Sequence, residues 1–301
     1  MRDPILFFSM HNSGSTVFVD FLAQHPQVFC EGTSPLDGAF GVMRQYYSTS
    51  PELIPFRHRD CELTDERVWT SMRRWFEGHF EPMVLGEDTV VVDKGRRWIN
   101  HIDALRHIWP DSRLVCLVRN PLNCWASCVR QDLSNAFLLD KQGSPVEAYP
   151  EKLARYFRDV AGPGPDGQHQ KEGPLGYSCK RVESLLLGGP RRYTNVLFVT
   201  YEEFCANPVA VARKLCIDCG LEDFAGWDPE RVEAVTSVDL DATTNHKWTH
   251  APMGTVRPIK RSQTDWRRSG AMHEKQAMVI ARKYQELFKR WGYIDDLRRA
   301  S

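Results

Sequence analysis

Four short apolar runs set the rhythm of the chain: Ile5–Phe8, Thr89–Val92, Arg113–Val118 and Val196–Val199. Each is too short for a helix and lacks polar alternation, which suits a strand buried on both faces. Between them, apolar residues recur at helical spacing. Val17, Phe18, Phe21 and Leu22 form one stripe, Val68, Met72, Trp75 and Phe76 another, and Ile99, Ile102, Leu105 and Ile108 a third. Trp125, Cys128 and Val129 continue a helix that Pro121 can open at its first position. Further helices are expected over Leu36–Tyr47, Cys179–Leu187 and Pro208–Cys219, the last stopped by Gly220. Near the end, Ala277, Ile280, Ala281, Tyr284, Leu287, Phe288 and Trp291 share one face of a single helix, and Gly292 closes it.

Punctuation supports these bounds. His25-Pro26 ends the first helix, because a residue before proline avoids the helical region. Thr64 is a fitting N-cap. Val28–Cys30 reads as a short strand, with Glu31-Gly32-Thr33-Ser34 as a polar loop after it that lies close to the first loop if that strand pairs beside the first. Pro51–Asp60 and Val160–Gly173 read as loops, and 223–270 carries no strong period. Strands alternating with amphipathic helices predict an α/β fold: three layers, with a mostly parallel central sheet flanked by helices. Residues 1–301 read as one domain, with no internal repeat. In such a sheet the loops after Phe8, Val92, Val118 and Val199 share the carboxyl edge, where ligands bind.

Composition narrows the partners. Lys+Arg and Asp+Glu balance at 39 each, so no global field draws the chain to nucleic acid or a membrane surface. No run of about 18 apolar residues is present, so no membrane span is expected, and the reading places the protein in the cytoplasm. The nine cysteines include a lone Cys216-x-x-Cys219, which without a second ligand pair does not predict zinc. The oligomeric state is not legible.

The chemistry concentrates on the predicted edge. After Ile5–Phe8 the chain turns small and polar through Asn12-Ser13-Gly14-Ser15-Thr16 and enters a helix. A strand–loop–helix of this kind aims backbone N–H groups and a helix dipole at one anion. The loop is not a Walker A sequence, because Gly-Lys-Ser/Thr is absent. The second loop offers Lys94. The third offers Arg119 with Ser127 eight residues on, about two helical turns along. The fourth offers Tyr201, an aromatic ring suited to a base.

Those motifs, in this order over residues 5–205, resemble the sulfotransferases that use 3′-phosphoadenosine 5′-phosphosulfate (PAPS). The resemblance implies a P-loop-like α/β sulfotransferase architecture. It implies that Ser13, Gly14, Ser15 and Thr16 hold the 5′-phosphosulfate, Arg119 and Ser127 the 3′-phosphate, and Tyr201 the adenine. Lys94 matches the family's lysine at the sulfuryl group. Asn12 stands where the family carries a basic residue, so the loop lacks that charge. As general base the resemblance suggests Glu31, with His11 next, since Arg96 occupies the position where some members have histidine. Arg257, Lys260 and Arg261 form a basic cluster that the same reading sets over the 3′-phosphate.

The implied reaction gives 3′-phosphoadenosine 5′-phosphate (PAP) and a sulfated small-molecule, carbohydrate or peptide acceptor, without a metal. Two alternatives stay open: a non-catalytic descendant that binds PAP or another nucleotide, suggested by Asn12, and a nucleoside-triphosphate-dependent kinase.

Overall fold

A computed structural model describes residues 2–53, 65–82, 86–134, 174–188, 195–235, 254–259, 266–267 and 274–294, excepting the side chains of 31–33, 129–134 and 174. Its centre is a parallel five-stranded sheet of order β2-β3-β1-β4-β5. The strands are β1 (Ile5–Ser9), β2 (Val28–Thr33), β3 (Val90–Lys94), β4 (Arg113–Val118) and β5 (Val196–Thr200). The four apolar runs are thus four of its strands, and the expected α/β architecture with a parallel sheet is what the chain forms.

Each strand divides its side chains between two cores, as a period of two requires. Phe7, Val90, Val92, Val115 and Leu117 enter one core with α1 (Ser15–Leu22) and α8 (Pro208–Asp218). Leu6, Phe8, Val91, Leu114, Cys116 and Val118 enter the other. That second, larger core takes in α2 (Leu36–Thr49), α3 (Asp65–Phe80), α4 (Ile102–Ile108), α5 (Pro121–Ser134), α6 (Pro174–Leu187), α9 (Glu274–Lys283) and α10 (Gln285–Arg290). Aromatic edges lock it, including Phe76 against Trp109 at 4.7 Å and Phe40 against Trp98 at 5.2 Å between ring centroids.

Several local expectations are corrected. The strand after the first helix does not lie beside β1: β3 is inserted between them. That strand also runs through Glu31-Gly32-Thr33 instead of ending at Cys30, with its register shifting between Cys30 and Thr33. The helix predicted around Ile99 splits into a 3-10 turn at Trp98–Asn100 and α4. Tyr201 does not sit in a loop but opens a short helix, α7 (Tyr201–Ala206). Thr200 caps it through a reciprocal capping box with Glu203. The last helix breaks at Tyr284, whose φ of −115° leaves the helical region, giving α9 and α10. Inside the stretch without a period, β6 (Val232–Glu233) and β7 (Val256–Arg257) form a small antiparallel ribbon.

Register brings the chemistry together. Phe7 pairs with Lys94, Ser9 with Leu117, and Val118 with Thr200. The turns after β1, β3, β4 and β5 therefore open on one edge, with the β1 turn between the β3 and β4 turns.

Candidate active site

The turn after β1 is built tightly. Met10 N–H donates to Leu117 O at 3.1 Å, continuing the pairing past the strand end, and Ser13 N–H donates back to Met10 O at 3.2 Å. Asn12 (φ 55°) and Gly14 (φ 86°) both take left-handed backbone. Asparagine tolerates that region and glycine is free in it. Gly14 precedes α1, and no side chain caps that helix. Its first N–H groups are thus left for another acceptor, as at anion-binding helix termini. The first turn also carries no acidic residue that would repel an anion. Ser13 Oγ and His11 Nδ1 are buried without a hydrogen-bond partner among the described residues. Orphaned buried polar atoms beside an uncapped helix terminus fit an anionic ligand.

Lys94 ends β3 on the α1 side of the sheet. Its Nζ donates to Thr16 Oγ1 at 3.2 Å, so the cation touches the first turn of α1. The side chain is buried. Burial, opposed by the Asp20 carboxylate and reinforced by Arg96, lowers its pKa to about 8. It is still mainly an ammonium at neutral pH. Its neighbour Asp93 points to the opposite core and accepts from Trp98 Nε1 at 2.6 Å, a structural bond.

Arg119 leaves β4 and turns back to the loop. Its Nη1 donates to Asn12 O at 2.7 Å, and its guanidinium lies 5.0 Å from the Tyr201 ring centroid. The Tyr201 ring in turn covers Gly14: a Cβ there would fall 2.2 Å from Tyr201 Cε2. Burial raises the Tyr201 phenol above its usual range, keeping it neutral. Loop, arginine and aromatic ring therefore form one stack. Ser127 lies half-buried on α5, in the helix that follows Arg119.

The other candidates fall as follows. Asn12 turns its amide inward, and Nδ2 lies 3.1 Å from Cys128 Sγ. His11 has a pKa lowered to about 3 by burial and by nearby Arg96, so it is neutral at physiological pH and a poor proton acceptor. Glu31 lies on edge strand β2, two strands from β1, and its side chain falls outside the described residues. Arg257 does not stand free: its Nη2 donates to Asp20 Oδ2 at 3.0 Å. Lys260 and Arg261 lie outside the described residues. Trp266 N–H donates to Asn123 Oδ1 at 3.2 Å, docking the C-terminal segment on α5.

Sequence reasoning missed three supports. Glu202 accepts from Asn120 N–H (3.0 Å) and from Tyr293 O–H (2.9 Å), fixing the turn between β4 and α5. Asp37 accepts from Arg97 N–H at 2.6 Å and lies against Gly95, holding the turn after Lys94. Asp20, fully buried in α1, accepts from Arg257 and, at 3.2 Å, from Val235 N–H. Glu202 stands in the matched Tyr201-Glu202-Glu203 motif, and Asp20 is a charge between the apolar positions of a stripe.

An anion turn, a buried lysine, a buried arginine and an aromatic ring thus meet on one edge of the sheet. The chain belongs to the sulfotransferase family, whose family model matches residues 4–170. Among solved structures it is similar to mouse sulfotransferase SULT7A1 complexed with PAP, at 13% identity over 99% of this chain and 88% of that one, TM-score 0.49. It is also similar to the sulfotransferase domain from the curacin biosynthetic pathway, at 14% identity over 97% and 98%, TM-score 0.48. A third similar structure is a sulfotransferase from Alicyclobacillus acidocaldarius, at 17% identity over 74% and 83%, TM-score 0.45. No curated protein matches the chain by sequence. Among the described residues, no helix is long and apolar enough to cross a membrane, and no cluster of His, Cys, Asp and Glu could hold a metal ion.

Proposed function

We propose that the protein transfers the sulfuryl group of PAPS to a hydroxyl or amine of an acceptor, releasing PAP. The observation that carries this reading is the stack at the sheet edge, in which Arg119 grips Asn12 O, Tyr201 covers Gly14, and Lys94 touches Thr16. In this reading the N–H groups at the start of α1, with Ser13, Ser15 and Thr16, hold the 5′-phosphosulfate. Arg119 and Ser127 hold the 3′-phosphate, Arg257, Lys260 and Arg261 add positive charge around it, and Tyr201 packs on the adenine.

Lys94 supplies the charge that matters most. Negative charge builds on the leaving phosphate oxygen and the sulfuryl oxygens as the group moves, and a preorganised cation in a water-poor site stabilises it. Asn12 gives hydrogen bonding but no charge, and its amide is engaged with Cys128. Lys94 and Arg96 are then the positive groups nearest the transferred oxygens. His11, held neutral, can orient the acceptor or the sulfuryl group by a hydrogen bond. Glu31 is the residue we assign as proton acceptor.

The Asn12 amide turned toward Cys128 also favours a second reading, nucleotide binding without turnover. Thermal-shift titration with PAP and with ATP, followed by incubation with labelled PAPS and a panel of acceptors, tests both. Stabilisation by PAP and labelled product support sulfuryl transfer. PAP binding without product supports the second reading, and preference for ATP over PAP overturns sulfuryl transfer and favours a nucleoside-triphosphate-dependent protein.

A further inference from the structure

Asp20 is a buried carboxylate that the sulfotransfer motifs leave unassigned. It lies four residues after Thr16, hence on the same face of α1 and one turn deeper. Thr16 receives the Lys94 ammonium at 3.2 Å. Val90, Val92 and Lys94 share the face of β3 that packs under α1. Cys30 stands opposite Val92 on β2, in the same core as α1. A carboxylate this deep needs compensation. Asp20 has it from Val235 N–H, from Arg257 at 3.0 Å, and from the attraction of Lys94.

We propose that Asp20 is a positioning residue that holds Lys94 as an ammonium against the first turn of α1, and that Arg257 competes with Lys94 for that carboxylate. Its use in the reaction rests on the sulfuryl-transfer reading above. The charged and titratable groups facing Lys94 are Asp20 from α1, Arg96 from the turn after β3, and Cys30 from β2. The Cys30 thiol is kept protonated by burial, and Arg96 repels the ammonium. Among the described residues Asp20 is therefore the one negative charge in that set. Arg257 faces Asp20 from β7 and draws part of its field. An α1 helix whose carboxylate tethers the lysine keeps the cation beside the anion turn before any donor arrives, which is the preorganisation that charge stabilisation requires.

The test reads Lys94 directly, in the free protein. Lysine labelled at Cε is followed by NMR against pH, with the Lys94 signal assigned by its loss in Lys94→Met. Asp20→Asn keeps an acceptor for Val235 N–H while removing the charge and, with it, the oxygen that accepts from Arg257. It should lower the Lys94 midpoint by about one to two pH units, the effect of a full charge several ångströms away at an effective dielectric constant of about 20. Asp20→Glu should restore most of it. Arg257→Gln should move the midpoint up, because it frees the carboxylate for Lys94. If Asp20 only clasps the ribbon, Asp20→Asn and Arg257→Gln loosen the same contact and shift the midpoint alike, or not at all, and the proposal is overturned. Should Asp20→Asn not fold, Asp20→Ser is read in its place, and an unchanged Lys94 midpoint overturns the proposal. The titration needs neither donor nor acceptor, so its outcome is separate from whether PAPS is turned over.

Discussion

Replacing Gly14 with alanine probes the stack at the sheet edge with a single carbon atom. Two independent costs are expected. The backbone there has φ 86°, and a residue with a Cβ loses about 1–2 kcal/mol in left-handed conformation. The new Cβ would also fall 2.2, 2.7 and 2.8 Å from three atoms of the Tyr201 ring. Contacts that short force the ring or the loop to move, and overpacking of this kind costs roughly 1–3 kcal/mol. Tyr201 cannot retreat freely, because it opens the capped helix α7 and carries Arg119 on its face. The sum, about 2–5 kcal/mol, would appear in urea unfolding as a lower midpoint at unchanged slope. A double-mutant cycle separates the parts. In a Tyr201→Ala background the ring is gone, and Gly14→Ala should cost only the backbone part of about 1–2 kcal/mol. An equal cost in both backgrounds would refute the Gly14–Tyr201 packing, and no cost in either would refute the left-handed turn as well.

Arg119→Ala removes the donor to Asn12 O and the charge beside Tyr201. It should lower PAP affinity by two or more orders of magnitude, roughly the 3 kcal/mol or more that truncating a buried charged contact costs. Normal PAP binding by calorimetry would disprove the placement. Lys94→Met should instead retain most PAP affinity and lose turnover, which a kcat measurement against Kd for PAP separates. In the intact enzyme turnover should fall as pH rises through about 8, where Lys94 loses its proton. Stability moves the other way. The folded state gives up that proton near pH 8 and the unfolded chain only near the ordinary lysine value of 10.5, so the unfolded state binds more protons in between and stability rises with pH there. His11 gives the acid counterpart. Its pKa is about 3 when folded against the ordinary histidine value of 6.5, so stability should fall as pH drops from about 6.5 toward 3. His11→Gln should flatten that fall, as read from urea midpoints at several pH values.

Much of the scaffold could be read because burial on both faces leaves a strong local signature. Leu6, Phe7 and Phe8 alternate between two cores, so all must be apolar, and the same holds for Val90–Val92 and Leu114–Val118. The edge that carries Lys94, Arg119 and Tyr201 followed from parallel strands alone. Strand order did not, because β2 pairs with β3, distant in sequence, and no local pattern marks that partner. The two-residue strands β6 and β7 are too short to show a period. Arg119 gave a motif match, but its bond to Asn12 O depends on a left-handed Asn12 that no local pattern announces. In the sequence Asp20 is one polar position among the apolar residues of an amphipathic helix. Only the ribbon and β3, brought in from distant parts of the chain, make it a buried counter-charge.

Sulfuryl transfer itself is best tested by incubating the purified protein with sulfur-labelled PAPS and a broad acceptor panel. Wild type and Lys94→Met should be run side by side, after calorimetry has shown that both bind PAP. Label appearing on an acceptor, with matching PAP release, in the wild type and not in Lys94→Met is the predicted result. PAP binding by both proteins with no label transferred by either would contradict the assignment of catalysis to this site.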